Sequence, residues 1–220
     1  AMFKDDTGKT VRLGDYFGER PVVLAFVYYE CPMLCNQILN GLVSGVGVLD
    51  QTVGTDFDVV AISFDARETP TQAAAKKATY LDRYQRPGSE RGWHFLTGDE
   101  ATIKRVTDTA GFQFAWDAAS QQFAHASGII VTTPEGKLSR YLFGIEYPPR
   151  DLKFALMESS AGKIGSVVDQ VLLYCYHYDP TTGSYSFVAM KAVRLGGAVT
   201  LLALAGFVVV ALRREHRAGH

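Results

Sequence analysis

The sequence is poor in cysteine, has almost no excess of either charge, and contains no internal repeat. Three cysteines among 220 residues are too few for a disulfide-built scaffold, so any cysteine chemistry must be local. Twenty-two Lys and Arg against twenty-three Asp and Glu leave a formal charge of −1. Without a basic excess there is no electrostatic case for nucleic-acid binding. Apolar residues make up 47% and charged residues 20%, which excludes a disordered chain. The length suits one domain of roughly 150 residues plus a further element.

That further element is a charge-free run. From Leu195 to Leu212 the chain reads LGGAVTLLALAGFVVVAL. As a helix at about 1.5 Å per residue it would span about 27 Å, close to the hydrocarbon thickness of a bilayer. Lys191 and Arg194 precede it, and Arg213, Arg214 and Arg217 follow. A core helix rarely ends so near a basic terminus, so a membrane helix is expected over 191–212, with a basic tail at 213–220. The basic residues favour a cytoplasmic tail by three to two and place the large N-terminal part on the periplasmic or extracytoplasmic side of the cell membrane. The opening AMFKDDTGKT shows no signal-peptide pattern and reads as a processed start.

In the N-terminal part, Pro21 to Tyr29 (PVVLAFVYY) and Phe57 to Phe64 (FDVVAISF) are continuous apolar runs, as expected for strands buried on both faces. Leu34 to Leu49 carries apolar residues at helical spacing. Thr69-Pro70 supplies an N-cap and a first-position proline for a helix to about Tyr84. Trp93 to Leu96 is a short strand, and Asp99 caps a helix to about Ala110. Ser127 to Thr132 and Lys137 to Phe143 flank the turn Thr133-Pro134-Glu135-Gly136, a hairpin pattern. A last helix is expected from Asp151 to about Ser159. Strands alternating with helices, closed by a hairpin, describe an α/β layer with a mixed central sheet, the order of a thioredoxin-like fold. This domain is expected over 1–160. An aromatic-rich connecting segment follows at 161–190, where Asp179-Pro180-Thr181-Thr182-Gly183 marks a turn within either a hairpin or an arm lying near the membrane.

Cys31-Pro32-Met33-Leu34-Cys35 stands where a buried strand gives way to a helix. On a helix the two sulfurs, four positions apart, share one face. The free N–H groups of a helix start favour thiolate over thiol, and thiolate is the form that binds soft metals or attacks disulfides. Cu(I) accepts two thiolates and an imidazole, whereas Zn(II) more often takes a fourth ligand. Taken alone, the pair is equally well read as two small buried core residues.

The motifs around the pair add to it. Tyr28-Tyr29-Glu30-Cys31-Pro32-Met33-Leu34-Cys35 after PVVLAF, then Ser63-Phe64-Asp65-Ala66-Arg67-Glu68-Thr69-Pro70, Phe95-Leu96-Thr97-Gly98, and His125-Ala126-Ser127 together resemble the Sco/SenC family from about Phe3 to Met157. These are thioredoxin-like copper proteins that help assemble the binuclear copper centre of cytochrome oxidase. The resemblance implies copper, Cu(I) and also Cu(II), held by Cys31, Cys35 and His125. It also implies delivery to the copper-bearing subunit of a respiratory oxidase. Because a Cys31–Cys35 disulfide cannot hold the metal, a thiol-reductant protein is an expected further partner.

Asn36 stands where the family commonly has proline, Thr133 where an aspartate usually opens the hairpin turn, and the span is C-terminal where the family's is typically N-terminal. Two other functions compete. One is a thiol–disulfide oxidoreductase using Cys31 and Cys35 as its redox pair on an oxidase subunit before metallation, although its usual spacing has two intervening residues. The other is a redox-sensing accessory subunit of a respiratory complex.

Weaker signals are Cys175 with His177, favoured as a buried thiol and a polar strand end over a second copper site, and Met33, favoured as an apolar cover over the site. His94 is expected to be structural, and Tyr28 and Tyr29 to fill the strand end beneath the metal loop. Asp65, Arg67 and Glu68 either meet a partner, hold the loop near the site, or form a solvated turn before the Thr69 cap.

Overall fold

The computed structural model describes residues 1–30, 34–118, 121–162, 178–179, 184–185, 197–198, 200–202, 204 and 206; for Leu34 and Cys35 this covers the backbone alone. The chain divides into two units, Ala1–Gln170 and Val171–His220.

In the first unit, strands β1 (Met2–Lys4) and β2 (Thr10–Arg12) form an N-terminal hairpin. Strand β3 (Val22–Val27) and helix α1 (Leu34–Gly47) follow, then β4 (Asp58–Ser63), α2 (Pro70–Tyr84), β5 (Trp93–Leu96) and α3 (Glu100–Thr109). After these come a second hairpin, β6 (Phe114–Asp117) and β7 (Gln122–His125), then β8 (Gly128–Thr132), β9 (Leu138–Phe143) and α4 (Pro149–Ser160).

The central sheet has the order β5-β4-β3-β8-β9. β3, β4 and β5 run parallel, while β8 and β9 pair antiparallel, so the sheet is mixed. Every residue of β3 and β4 is buried, as two parallel strands covered on both faces require. This is the thioredoxin-like α/β architecture expected from the order of elements.

Helix boundaries follow local chemistry. Thr69 and Gln72 form a capping box, with Thr69 N–H donating to Gln72 Oε1 at 2.7 Å and Pro70 at the first helical position. Asp99 Oδ1 accepts from Thr102 N–H at 2.9 Å and starts α3. At the end of α1, Arg86 donates to the carbonyl of Gly47, an acceptor that a helix end leaves open, and to those of Leu49 and Gln51 in the chain that follows. Gly41 lets α1 approach the chain before α4 so closely that a methyl there would overlap the Ile145 carbonyl.

Two elements were not anticipated by the sequence reading. One is the β1–β2 hairpin, tied to the turn after β5 by reciprocal main-chain bonds between Lys4 and Thr97, at 2.8 and 2.9 Å. The other is β6–β7, a separate two-stranded sheet. Phe112, Phe114 and Trp116 alternate with Gln113 and Ala115, a period-two pattern that marks such a strand.

In the second unit, β10 (Tyr178–Asp179) pairs antiparallel with β11 (Ser184–Tyr185); the turn read at Asp179–Gly183 lies mostly outside the described residues. Among the described residues no helix is long and apolar enough to cross a membrane. The expected span at 191–212 lies mostly outside them. Its described positions, Gly197, Ala198, Thr200, Leu201, Leu202, Leu204 and Gly206, are helical.

Candidate metal centre

The end of β3 delivers the chain to the cysteine motif, and the residues there are tightly fixed. Tyr28 and Tyr29 are both buried, as expected of side chains filling the strand end. The Tyr29 hydroxyl lies 3.0 Å from the Ala61 carbonyl and 2.8 Å from that of Leu96, pinning β3 across β4 to β5. Cys35 falls in the first turn of α1. Cys31, Pro32 and Met33, and the side chain of Cys35, lie outside the described residues, as do Cys175 and His177.

Glu68 resolves the open question about the acidic loop after β4. It is buried, with 7% of its surface exposed, so it is no solvated turn residue. Its Oε2 accepts from Tyr29 N–H at 2.8 Å and from the Ser63 hydroxyl at 2.5 Å, and its Oε1 accepts from Glu30 N–H at 2.7 Å. One carboxylate therefore holds the two peptide N–H groups immediately before Cys31. Burial raises the Glu68 pKa from the ordinary carboxylate value, partly offset by the hydrogen bonds from Ser63, Tyr29 and Glu30. No local sequence pattern could link residue 68 to residues 29 and 30.

His125 ends β7, three residues before β8 begins, and is 8% exposed. Its ring packs against Phe64 at 5.0 Å, Phe112 at 5.9 Å and, edge-on, Tyr28 at 6.4 Å between centroids. The fold thus carries His125 to a tyrosine three residues before Cys31. Nδ1 lies 2.9 Å from the Ala126 carbonyl. A carbonyl only accepts, so Nδ1 carries the proton, and in the neutral ring Nε2 holds the lone pair, as in an imidazole prepared to ligate through Nε2. Among the described residues no three His, Cys, Asp or Glu side chains gather as a metal-binding group.

Arg67 forms a fork on the buried Asp65, with Nε donating to Oδ1 at 2.8 Å and Nη2 to Oδ2 at 2.6 Å. Its guanidinium lies 4.9 Å from the Trp116 ring centroid and 5.6 Å from that of Phe123. His94 is structural, as expected. Its ring packs, tilted, against Tyr16 at 4.4 Å between centroids, and burial, with Lys77 adding to it, pulls its pKa down to about 4.

Residues 2–156 match the sequence profile of the family described as SCO1/SenC. No curated protein matches the chain. Among solved structures, a protein from Aquifex aeolicus VF5 given a provisional electron-transfer role is 23% identical, with a TM-score of 0.63, covering 74% of this chain and 90% of its own. Arabidopsis thaliana ScoI with copper bound is 20% identical, with a TM-score of 0.59, covering 73% and 96%. Yeast Sco1 with copper bound is 18% identical, with a TM-score of 0.55, covering 77% and 91%. The structural likenesses establish the shared fold, and the match across most of the first unit establishes that the chain belongs to the SCO1/SenC family.

Proposed function

We propose that the chain is a membrane-anchored copper chaperone that binds one copper ion through Cys31, Cys35 and His125. It passes the metal to the copper-bearing subunit of a respiratory oxidase by ligand exchange. The observation that carries this reading is the seat of His125, a buried ring with a fixed tautomer beside Tyr28 at the base of the cysteine loop. A dithiol reductase needs no imidazole beside the cysteine motif. The copper-bound state of the ScoI and Sco1 relatives supports the choice of metal.

Two thiolates and a neutral imidazole give Cu(I) a net charge of −1 and Cu(II) a net charge of zero, so both oxidation states are tolerable. The protein's own contribution is positional. Glu68 holds the peptide entering Cys31, α1 presents Cys35 in its first turn, and β7 holds the imidazole. Loading requires both thiols reduced, which couples copper uptake to a thiol-reductant protein outside the cytoplasm.

The anchor is the 191–212 segment, joined by residues 161–190 to the domain of residues 1–160, with 213–220 as a cytoplasmic tail. Its support is the charge-free run and the exposure of Leu201, Leu202 and Leu204 on helical positions, as lipid-facing leucines would show. The domain then faces the periplasm or its equivalent.

The test is transfer. The copper-loaded chain, incubated with the metal-free copper-binding domain of an oxidase subunit, should lose one equivalent of copper as that domain gains it. If the partner's disulfide is instead reduced while no copper moves, the oxidoreductase function replaces this one.

A further inference from the structure

The two halves of the proposed copper site come from parts of the chain that share no main-chain pairing among the described residues. The cysteines follow β3 of the central sheet, while His125 ends a separate two-stranded hairpin. An isolated two-stranded hairpin has little stability of its own, so its position depends on what packs against it. Phe114 is paired with His125, and Trp116 with Phe123, so these four side chains share one face of the hairpin. That face meets the segment from Ser63 to Glu68. Phe64 packs on Phe114 at 4.9 Å, Phe123 at 5.4 Å and His125 at 5.0 Å, and the Arg67 guanidinium covers Trp116 and Phe123.

The same segment holds the two residues that lead into the cysteine motif. Glu68 binds the N–H groups of Tyr29 and Glu30, and Ser63 joins the two ends by donating to Glu68 while its oxygen accepts from Asp65 N–H at 3.1 Å. Asp65 in turn holds Arg67 by the two-point fork. We propose that Arg67 is a positioning residue for copper: through its cation–π contacts with Trp116 and Phe123 it locks the His125 hairpin to the segment that holds the residues entering Cys31. Among the described residues Arg67 makes no contact with His125; it sets where the hairpin that carries the imidazole stands. The fork on Asp65 holds the guanidinium beside the two rings by two bonds at once, a grip that a lysine cannot reproduce.

The inference rests on the copper reading, and two measurements on the full chain separate them. First, amide hydrogen exchange of residues 114–117 and 122–125 is compared in copper-free wild type, Arg67→Ala and Arg67→Lys. Faster exchange in both variants, confined to the hairpin, is expected; unchanged exchange overturns the lock whether or not copper binds. Second, Cu(I) affinity is measured in wild type, Arg67→Ala, His125→Ala and the double variant. Arg67→Ala is expected to weaken binding about tenfold, as loss of a residue behind a metal ligand does. In the His125→Ala background the same substitution should change nothing, because no imidazole remains to be positioned. An equal loss in both backgrounds overturns the proposal. Wild-type binding indifferent to His125→Ala, with the exchange result intact, overturns the copper reading and leaves the mechanical lock standing.

Discussion

The five-stranded sheet and the β6–β7 hairpin are held in place by different means. In the sheet, β3 and β4 are buried along their whole length and each pairs with two neighbours, so any single contact is one among many. The hairpin has two strands, one aromatic face and a half-exposed Trp116. The difference teaches that this fold keeps its stability in the sheet and its candidate metal geometry in a peripheral piece positioned by side chains. Damage to the sheet should therefore lower stability, whereas damage around the hairpin should alter copper binding with little loss of stability.

The largest expected effect lies in the sheet. Phe95 on β5 is fully buried and packs against Tyr29, Tyr80 and Trp93. Phe95→Ala should cost about 3–5 kcal/mol in denaturant unfolding, the usual range for a truncated core aromatic. A cost below about 1 kcal/mol would break the contrast.

The pH dependence of the sheet comes next. His94 ionises near 6.5 when unfolded and near 4 when folded, because burial opposes its charge. The unfolded chain thus binds the proton first as pH falls. Stability attributable to this group is full above about pH 6.5 and is lost as pH falls toward about 4, by up to about 3 kcal/mol. His94→Gln should flatten that slope in unfolding curves taken across this range, and an unchanged slope would contradict the assignment.

Glu68 sits between the two regions. Glu68→Ala strips the acceptor from two peptide N–H groups and one hydroxyl. It should cost about 2 kcal/mol of stability, the penalty for leaving buried polar groups unpaired. It should also weaken copper binding, because the chain entering Cys31 is released. A stability loss with copper affinity unchanged would show that the loop holds its shape without the carboxylate.

The smallest stability effect belongs to Trp116. Trp116→Ala removes an exposed ring stacked under Arg67 and should change stability by no more than about 1 kcal/mol. Its copper affinity should nevertheless fall. Global destabilisation by this substitution would place the hairpin within the main cooperative unit.

The sequence made the sheet legible because its signals are local. Continuous apolar runs marked β3 and β4, and Thr69-Pro70 and Asp99 marked helix starts that the structure bears out. The turn at residues 133–136 joined β8 to β9 as expected. The candidate site was less legible, since its parts meet only in three dimensions. His125 entered the sequence argument through family resemblance alone. Glu68 and Arg67 were as compatible with a solvated turn as with a structural role until their partners, distant in sequence, were placed. The β6–β7 hairpin did carry its alternating pattern, but it is short and ends at a histidine that gives no strand signal of its own.

The most direct measurement is an anaerobic titration of the reduced full chain with Cu(I) against a competing chelator, repeated with Cys31→Ser, Cys35→Ser and His125→Ala. One tight equivalent, weakened by each of the three substitutions, is the expected result. Weak binding indifferent to His125, with Cys31 and Cys35 still cycling as a disulfide, would contradict it.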